Sequence, residues 1–466
     1  MTETIKKTLR DSAAARWFAL ALVSVATVFA YMFADIMAPL KGLLTAAEGL
    51  AWSPTTYGTF SGSAYILNIM GFLILAGIIL DKIGVRKSAL IAGTLMFTGA
   101  IIKYYGVSDA FNNGGFGYEF FNSFLTGFPP SAKMAILGFA IFGCGIEMSC
   151  ISVARAVIKW FKGKEMALAM GLQMAIARFG VFTAFQMSPR WAAEGGVSAS
   201  VGMGALLLAI AFLIFCVYFV MDLRLDRQEE AIEETKKEGF KVSDLSMIFT
   251  SKTFYLVAGL CVFFYVSIFS FQKFAVPMLA SKLFVDLPTI DGLAKASKLF
   301  SFFPFGAMLL TPLLGFYLDT KGKGATMLIF GASLMVICHA IFAFTPEALF
   351  TFPVAITAIV ILGVSFSLVP ASLWPSLPKL VDNKVLGSAF ATVFWFQNMG
   401  LLSVPILIGW ALKISNPGVV AGGVYNYTVP MIIFASFGVI AVLLAFWLKA
   451  EDKKMGYGLE LPNKKK

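Results

Sequence analysis

The chain has 466 residues, of which 59% are hydrophobic and 14% are charged, and its mean hydropathy is +0.82. Soluble domains carry roughly 25% charged residues, so this composition excludes a soluble globular protein and predicts a polytopic protein embedded in a lipid bilayer. The formal net charge of +11 is typical of Lys and Arg gathered in loops on one side of a membrane. We therefore expect no nucleic-acid partner.

The first half of the chain contains six predicted helices. A basic tail, residues 1–16, precedes the first helix, which is too long for a signal-peptide core and is expected to be retained. Together these segments predict an N-terminal six-helix bundle, residues 1–223. The predicted helices are residues 17–40, 56–80, 88–105, a pair within 138–189 joined by a basic turn at 160–164, and 201–223.

The second half repeats this organisation after a charge-dense segment, residues 224–250, that is typical of a solvated linker. A second bundle, residues 251–449, and a basic tail, residues 450–466, follow. We therefore predict an all-α membrane protein with twelve transmembrane helices in two pseudo-symmetric six-helix halves. The predicted helices of the second bundle are residues 251–279, 294–318, 325–344, 352–377, 386–413 and 427–448.

Lys and Arg residues are concentrated on one side of the predicted bundle. That side includes both terminal segments and the linker, whereas the other side has only scattered cations such as Lys41 and Arg190. Because cytoplasmic loops carry the excess of positive charge, both termini are expected in the cytoplasm.

A loop motif occurs at equivalent places in the two halves. The sequence Gly77-Ile-Ile-Leu-Asp81-Lys-Ile-Gly84-Val-Arg86 follows the second helix, and Gly315-Phe-Tyr-Leu-Asp319-Thr-Lys-Gly322 follows the eighth. This pattern resembles the loop signature of the major facilitator superfamily, which implies internal duplication and a binding site between the halves. The alternative is a set of turn residues with basic flanks. We assign gating roles to Gly77, Asp81, Gly84, Arg86 and Asp319.

Two opposite charges lie inside the fourth and fifth predicted helices. Glu147 and Arg178 each lie about 15 residues from the basic turn, or about 23 Å at 1.5 Å per residue. Both are therefore expected near the middle of a bilayer core roughly 30 Å thick. Ionisable groups at that depth favour a substrate or ion pathway. The alternative is an ion pair that only fixes packing. Gly143 and Gly145 would let a helix or a ligand approach closely.

Other polar and aromatic residues inside the predicted helices are weaker candidates. Trp374 precedes Pro375 within a helix and is predicted either to line a cavity or to pack in the core. His339 is interpreted as a packed or lipid-interface residue. The five cysteines show no metal-binding spacing, and no phosphate-binding loop motif is present, so we expect no metal, cofactor, disulfide or enzymatic activity. The remaining substrate-binding candidates are Tyr31, Asp35, Tyr265, Gln173 and Gln397.

Several longer stretches resemble the lysosomal dipeptide uniporter branch of the superfamily and its bacterial-type relatives. They include Gly143-Cys-Gly-Ile-Glu147, Gly171-Leu-Gln173 through Gly180, and Ser372-Leu-Trp374-Pro375. The resemblance implies facilitated transport of dipeptides by alternating access. It also implies that Glu147 binds the peptide amine, Arg178 binds the peptide carboxylate and Trp374 lines the site.

Departures from that branch limit what the resemblance implies. Residues 1–16 contain no acidic dileucine sorting signal, so we expect the plasma membrane (the inner membrane in a bacterium) and a monomer without an accessory glycoprotein. The Glu-x-x-Glu-Arg signature of proton-coupled peptide symporters is missing, which favours uniport. The alternatives are an organic-anion or carboxylate exchanger, a proton-coupled symporter, and a non-transporting sensor on the same fold.

Overall fold

The computed structural model describes residues 8–46, 49–162, 164–229, 251–287, 289–381, 386–420 and 422–462. Every regular element within these ranges is helical. Most of the predicted linker, residues 230–250, lies outside the described residues, and residues 224–229 still belong to a helix rather than to the linker.

We number the α-helices in chain order. The first half contains α1 (Ala13–Asp35), α2 (Lys41–Thr45), α3 (Pro54–Gly62), α4 (Leu73–Val107), α5 (Asp109–Asn112), α6 (Tyr118–Asn122), α7 (Pro130–Trp160) and α8 (Met166–Glu229). The second half contains α9 (Lys252–Leu283), α10 (Thr289–Phe300), α11 (Phe302–Lys321), α12 (Gly324–Phe344), α13 (Phe352–Leu380), α14 (Leu386–Ile414) and α15 (Thr428–Met455).

Ten helical segments of the described chain are long and apolar enough to cross a membrane. Two of them, Pro54–Val107 and Leu168–Gln228, have 54 and 61 residues. A straight helix of that length would extend about 80–90 Å, far beyond a hydrocarbon core of about 30 Å. Each is interrupted by a glycine with positive φ, at Gly84 (79°) and Gly196 (68°). The break at Gly84 lies inside the predicted turn after the second helix.

Three predicted boundaries were wrong for local reasons. The first helix ends at Asp35 rather than residue 40, because the following 3₁₀ turn, Ala38–Leu40, contains Pro39. The predicted helix 294–318 is divided into α10 and α11, where Pro304 lacks the N–H that would bond the carbonyl of Phe300. The predicted loop 106–130 includes the short helices α5 and α6.

The first and last described segments of the chain, residues 8–16 and 456–462, lie at one end of the bundle, which we call the terminal face. Asp11 accepts a bond from Lys164 at 2.9 Å, and Arg16 pairs with Glu165 at 3.2 Å. In the second half, Glu460 accepts a bond from the backbone N–H of Thr326 at 2.8 Å. The ion pairs described at this face therefore stabilise each half separately.

The two halves contact each other at the other end, which we call the opposite face. Lys273 of α9 pairs with Asp35 of α1 at 2.6 Å. Lys41, which is 2% exposed, donates to the hydroxyl of Tyr427 at 2.7 Å. Helices α3 and α14 approach so closely that a Cβ on Gly58 would lie 2.3 Å from the carbonyl oxygen of Pro405. Polar and backbone contacts thus join the halves here.

Candidate functional site

On the terminal side of the molecule the facing surfaces of α8 and α11 are exposed, and we call the space between them the cleft. Along α8, Phe185 and Phe182 contact Phe300 and Phe305 of the second half, with ring centres 5.0 and 5.4 Å apart. One helical turn further toward the terminal face, this stripe of α8 reaches Arg178. The halves therefore meet up to the level of Arg178.

Beyond Arg178 the facing surfaces are open. Met174 of α8 is 60% exposed, and a Cβ added to Gly171 would meet no atom within 4 Å. On the facing helix α11, Leu309 and Leu313 follow Phe305 at helical spacing and are 53% and 67% exposed. The cleft thus widens from Arg178 toward the terminal face.

Arg178 lies at the closed end of this cleft. Its side chain is half-buried, and its guanidinium carbon lies 4.2 Å from the ring centre of Phe366 on α13. Among the described residues, Arg178 has no hydrogen bond and no acidic partner within 4 Å. Two residues along the helix, a Cβ on Gly180 would lie 2.3 Å from the carbonyl oxygen of Val28, so α8 is held tightly against α1.

Glu147 is also half-buried and lies on α7. Within the described part of the chain its carboxylate makes no hydrogen bond and no ion pair, so the packing ion pair with Arg178 is not formed in this structure. The neighbouring glycines permit helix contacts rather than ligand contacts. A Cβ on Gly143 would overlap the carbonyl oxygen of Ala64, and one on Gly145 would lie 2.6 Å from the nitrogen of Met96.

Tyr31 of α1 connects the surroundings of the two charges. Its hydroxyl lies 3.6 Å from the sulfur of Cys150, one turn along α7 from Glu147. It is also close enough to both Glu147 and Arg178 to interact with them electrostatically. The structure therefore brings together three of the predicted site residues on the first half.

The second half contributes aromatic side chains to the same region. The indole N–H of Trp374 donates to the hydroxyl of Tyr265 at 2.8 Å, and the Trp374 ring stacks on Phe394 at 4.9 Å. The ring centre of Tyr265 lies 6.4 Å from that of Phe366, which contacts Arg178. The ring of Phe366 thus lies between Arg178 and the hydrogen-bonded pair of Trp374 and Tyr265.

Three other predicted binding residues have different surroundings. Asp35 is 5% exposed and is occupied by the ion pair with Lys273. Gln397 is 8% exposed and its side-chain carbonyl lies 3.5 Å from the sulfur of Cys261. Gln173 is half-buried on α8, on the terminal side of Arg178.

The predicted gating residues lie near the terminal face. Asp81 pairs with Arg155 of α7 at 3.0 Å, and both side chains are more than 40% exposed. Arg86 pairs with Asp226 and lies over the ring of Phe219. The partner of Asp81 lies on a neighbouring helix of the same half, so this ion pair does not join the two halves. Asp319 lies near the end of α11, Gly77 lies on α4, and Gly84 forms the break in α4.

His339 is fully buried, which confirms the packed interpretation. Its Nε2 atom lies 3.1 Å from the carbonyl oxygen of Ser267, and its ring lies between Phe271 and Phe434. Across the ranges that the structure describes, no group of three or more His, Cys, Asp or Glu side chains is arranged to hold a metal ion.

Sequence reasoning missed two contacts between the halves, Lys273 with Asp35 and Phe366 with Arg178. Lys273 carried a usable signal, because it is a cation inside a predicted apolar helix. Phe366 carried none, since it is one of 47 phenylalanines in the chain.

Comparison with known proteins agrees with this architecture. The lysosomal dipeptide transporter MFSD1 of Mus musculus is 28% identical over 351 residues, 72% of this chain and 68% of the relative. The Danio rerio protein of the same name is 26% identical, covering 73% and 69%. These relatives confirm the resemblance to the dipeptide transporter branch.

Solved structures share the fold at low identity. The nucleoside transporter NupG has a TM-score of 0.69 and 14% identity, covering 92% of this chain and 99% of that one. The inward-open xylose transporter XylE from E. coli has a TM-score of 0.65 and 15% identity, covering 92% and 95%. Residues 23–405 match the Major Facilitator Superfamily. The chain therefore belongs to the major facilitator superfamily of membrane transporters.

Proposed function

We propose that this multi-pass transporter moves dipeptides across the membrane by alternating access. The observation that carries the proposal is a pair of opposite, half-buried charges, Glu147 and Arg178, that make no hydrogen bond or ion pair within the described part of the chain and that both lie near Tyr31. Charges in a low-dielectric interior are costly unless they are paired or hydrogen-bonded. A zwitterionic ligand supplies an ammonium group for Glu147 and a carboxylate for Arg178.

The chemistry of each residue suits one end of a dipeptide. A guanidinium can hold a carboxylate through two parallel N–H···O bonds, and a carboxylate accepts bonds from an ammonium group. The Mus musculus and Danio rerio relatives are named dipeptide transporters, which supports the same substrate class. Trp374 and Tyr265 offer ring surfaces that tolerate many shapes, so we expect broad selectivity for dipeptide side chains.

The proposed transport cycle begins from the contacts between the halves. With the opposite face joined through Asp35 and Lys273 and the cleft widening toward the terminal face, this arrangement is consistent with a state open to the terminal side. We propose that the interrupted segments 54–107 and 168–228 each cross the membrane twice, giving twelve crossings in all. The terminal face is then cytoplasmic, as the positions of Lys and Arg predict.

Uniport, a plasma-membrane location and a monomeric state complete the proposal. The missing symporter signature supports uniport. The relatives are named lysosomal, so the location is the component of the proposal that most needs its own test.

A ligand panel tests the proposed function. We expect alanyl-alanine to raise the melting temperature of the purified protein, because a ligand at 100 times its Kd stabilises the folded state by about 2.7 kcal/mol. N-acetyl-alanyl-alanine and alanyl-alanine amide should stabilise it much less. Counterflow in proteoliposomes should then show exchange of labelled alanyl-alanine without a pH gradient.

Each alternative predicts a different result. Stabilisation by dicarboxylates but not by dipeptides would favour an anion exchanger. Accumulation of alanyl-alanine driven by a proton gradient would favour a symporter, and binding without flux would favour a sensor. If no dipeptide binds, the proposal is wrong.

A further inference from the structure

We infer that Phe366 is a positioning residue that holds the Arg178 guanidinium ready for the substrate carboxylate. This inference rests on the proposed function, and it concerns how selectivity for a free C-terminal carboxylate arises. Arg178 belongs to the first half and Phe366 to the second, so the contact crosses the interface between the halves.

The Phe366 ring is well suited to fix another group because it is itself fixed. It is 5% exposed and lies 5.5 Å from Phe269 and 5.4 Å from Phe303, measured between ring centres. Aromatic pairs at these separations stabilise each other's orientation. The surface beneath the guanidinium is therefore rigid.

A ring is a better support here than an acidic side chain. A cation over the face of a ring is attracted by the ring quadrupole, and this attraction uses none of the five N–H donors of the guanidinium. A carboxylate partner would occupy two of those donors and compete with the substrate. Consistent with this, Arg178 makes no hydrogen bond or ion pair with any residue the structure describes.

The neighbouring contacts along α8 support the same assignment. Phe182, one turn from Arg178, contacts Phe305, and Gly180 packs against the backbone of Val28. Within about one turn of the arginine, the helix is thus held against α1 of its own half and against α11 of the second half. The Phe366 ring then determines where the flexible end of the Arg178 side chain lies. Ordering this side chain before binding reduces the entropy lost when the carboxylate binds.

The experiment compares two ligands that differ only at the C-terminus, alanyl-alanine and alanyl-alanine amide. We expect Phe366→Leu to weaken binding of alanyl-alanine about 5- to 30-fold, the range between an exposed and a desolvated cation–π contact. Binding of alanyl-alanine amide should change little, because its C-terminus has no carboxylate for the Arg178 guanidinium to bind. The ratio of the two affinities should therefore fall, and Phe366→Tyr should restore most of it.

Phe342→Leu is the matched control. Phe342 is a fully buried ring of the same half, but its ring contacts are with Phe271 and Phe350 rather than with Phe366. It should leave the acid-to-amide ratio unchanged. If Phe366→Leu does not fold, 3,4,5-trifluorophenylalanine at position 366 keeps the ring and weakens its quadrupole, and the ratio should again fall.

The outcomes separate this inference from the proposed function. An unchanged ratio in Phe366→Leu, or an equal loss for both ligands, would overturn the positioning role while dipeptide transport stands. Failure of the wild-type protein to bind alanyl-alanine would overturn both.

Discussion

The two halves share one fold but present different chemistry to the cleft. The first half contributes a carboxylate on α7, a guanidinium on α8 and the hydroxyl of Tyr31. The second half contributes the rings of Tyr265, Phe366 and Trp374. The indole N–H of Trp374 donates to the hydroxyl of Tyr265. The repeated architecture therefore supplies the scaffold. Under the proposed function, the first half binds the charged ends of the dipeptide and the second half provides ring surfaces.

This division has physical consequences. Charge-assisted hydrogen bonds are strong and directional, whereas ring contacts act over centroid separations of 4.5–7 Å with several geometries. Removing a charge from the first half should therefore cause a large loss of binding and transport. Removing a ring from the second half should cause a smaller loss of affinity. The following changes test that contrast, beginning with the largest expected effect.

Arg178→Gln should reduce dipeptide transport about 100-fold or more. Truncating one partner of a buried charge pair costs about 2–5 kcal/mol, and glutamine cannot form a charged fork. Arg178→Lys should restore only part of the activity, because an ammonium group does not bind a carboxylate through two fixed N–H groups. Proteoliposome counterflow with alanyl-alanine measures this. Arg190→Gln, at an exposed position of the same helix, is the control; full transport by Arg178→Gln would refute the role.

Glu147→Gln should weaken alanyl-alanine binding about 30- to 100-fold, because the ammonium group loses its charged acceptor. Wild-type protein should reject N-acetyl-alanyl-alanine, and the variant should discriminate much less between the two ligands. Thermal shift with both ligands measures the change. Glu194→Gln, on an exposed part of α8, should behave as wild type. Equal discrimination in wild type and variant would argue against an amine site at Glu147.

The ion pair between Asp35 and Lys273 is the exception to the division, because here the second half supplies a charge. Asp35→Asn should lower the transport rate about tenfold. Dipeptide affinity should stay unchanged, because the ion pair joins the halves at the opposite face and does not contact the proposed substrate site. The exchange Asp35→Lys with Lys273→Asp should recover part of the rate. Separate determination of kcat and KM distinguishes this role from substrate binding, and Asp291→Asn at an exposed position is the control. A loss of affinity without a loss of rate would indicate instead that Asp35 binds the substrate.

Trp374→Phe should have the smallest effect, a loss of about three- to tenfold in affinity. Phenylalanine keeps a ring but removes the bond to Tyr265, and one such hydrogen bond contributes about 0.5–1.5 kcal/mol. Tyr265→Phe should cause a similar loss, and the double variant should lose little more, because both changes remove the same bond. Trp410→Phe, at a position that is 52% exposed, is the control. Losses that multiply fully in the double variant would show that the two side chains act independently.

Much of the membrane architecture could be predicted because it depends on local composition. Long apolar segments, the repeated loop motif and the interior charges at Glu147 and Arg178 are visible in the chain itself. Lys273 is also a cation inside a predicted apolar helix, so the sequence indicated it as clearly as it indicated Glu147 and Arg178, but it was not among the predicted site residues. Boundaries at Pro39 and Pro304 were also missed, since a proline inside an apolar run can either continue or divide a helix.

The sequence alone determined that the chain crosses a membrane, belongs to a two-fold repeated transporter fold and buries two opposite charges, because hydropathy and charge are properties of consecutive residues. Only the tertiary structure decided that Asp35 pairs with Lys273, that Glu147 and Arg178 do not pair with each other, and that Phe366 lies against Arg178. The two contacts that form, Asp35 with Lys273 and Phe366 with Arg178, each join residues more than a hundred positions apart. Which of many similar side chains meet across the halves depends on helix packing, and helix packing leaves no pattern in any single segment.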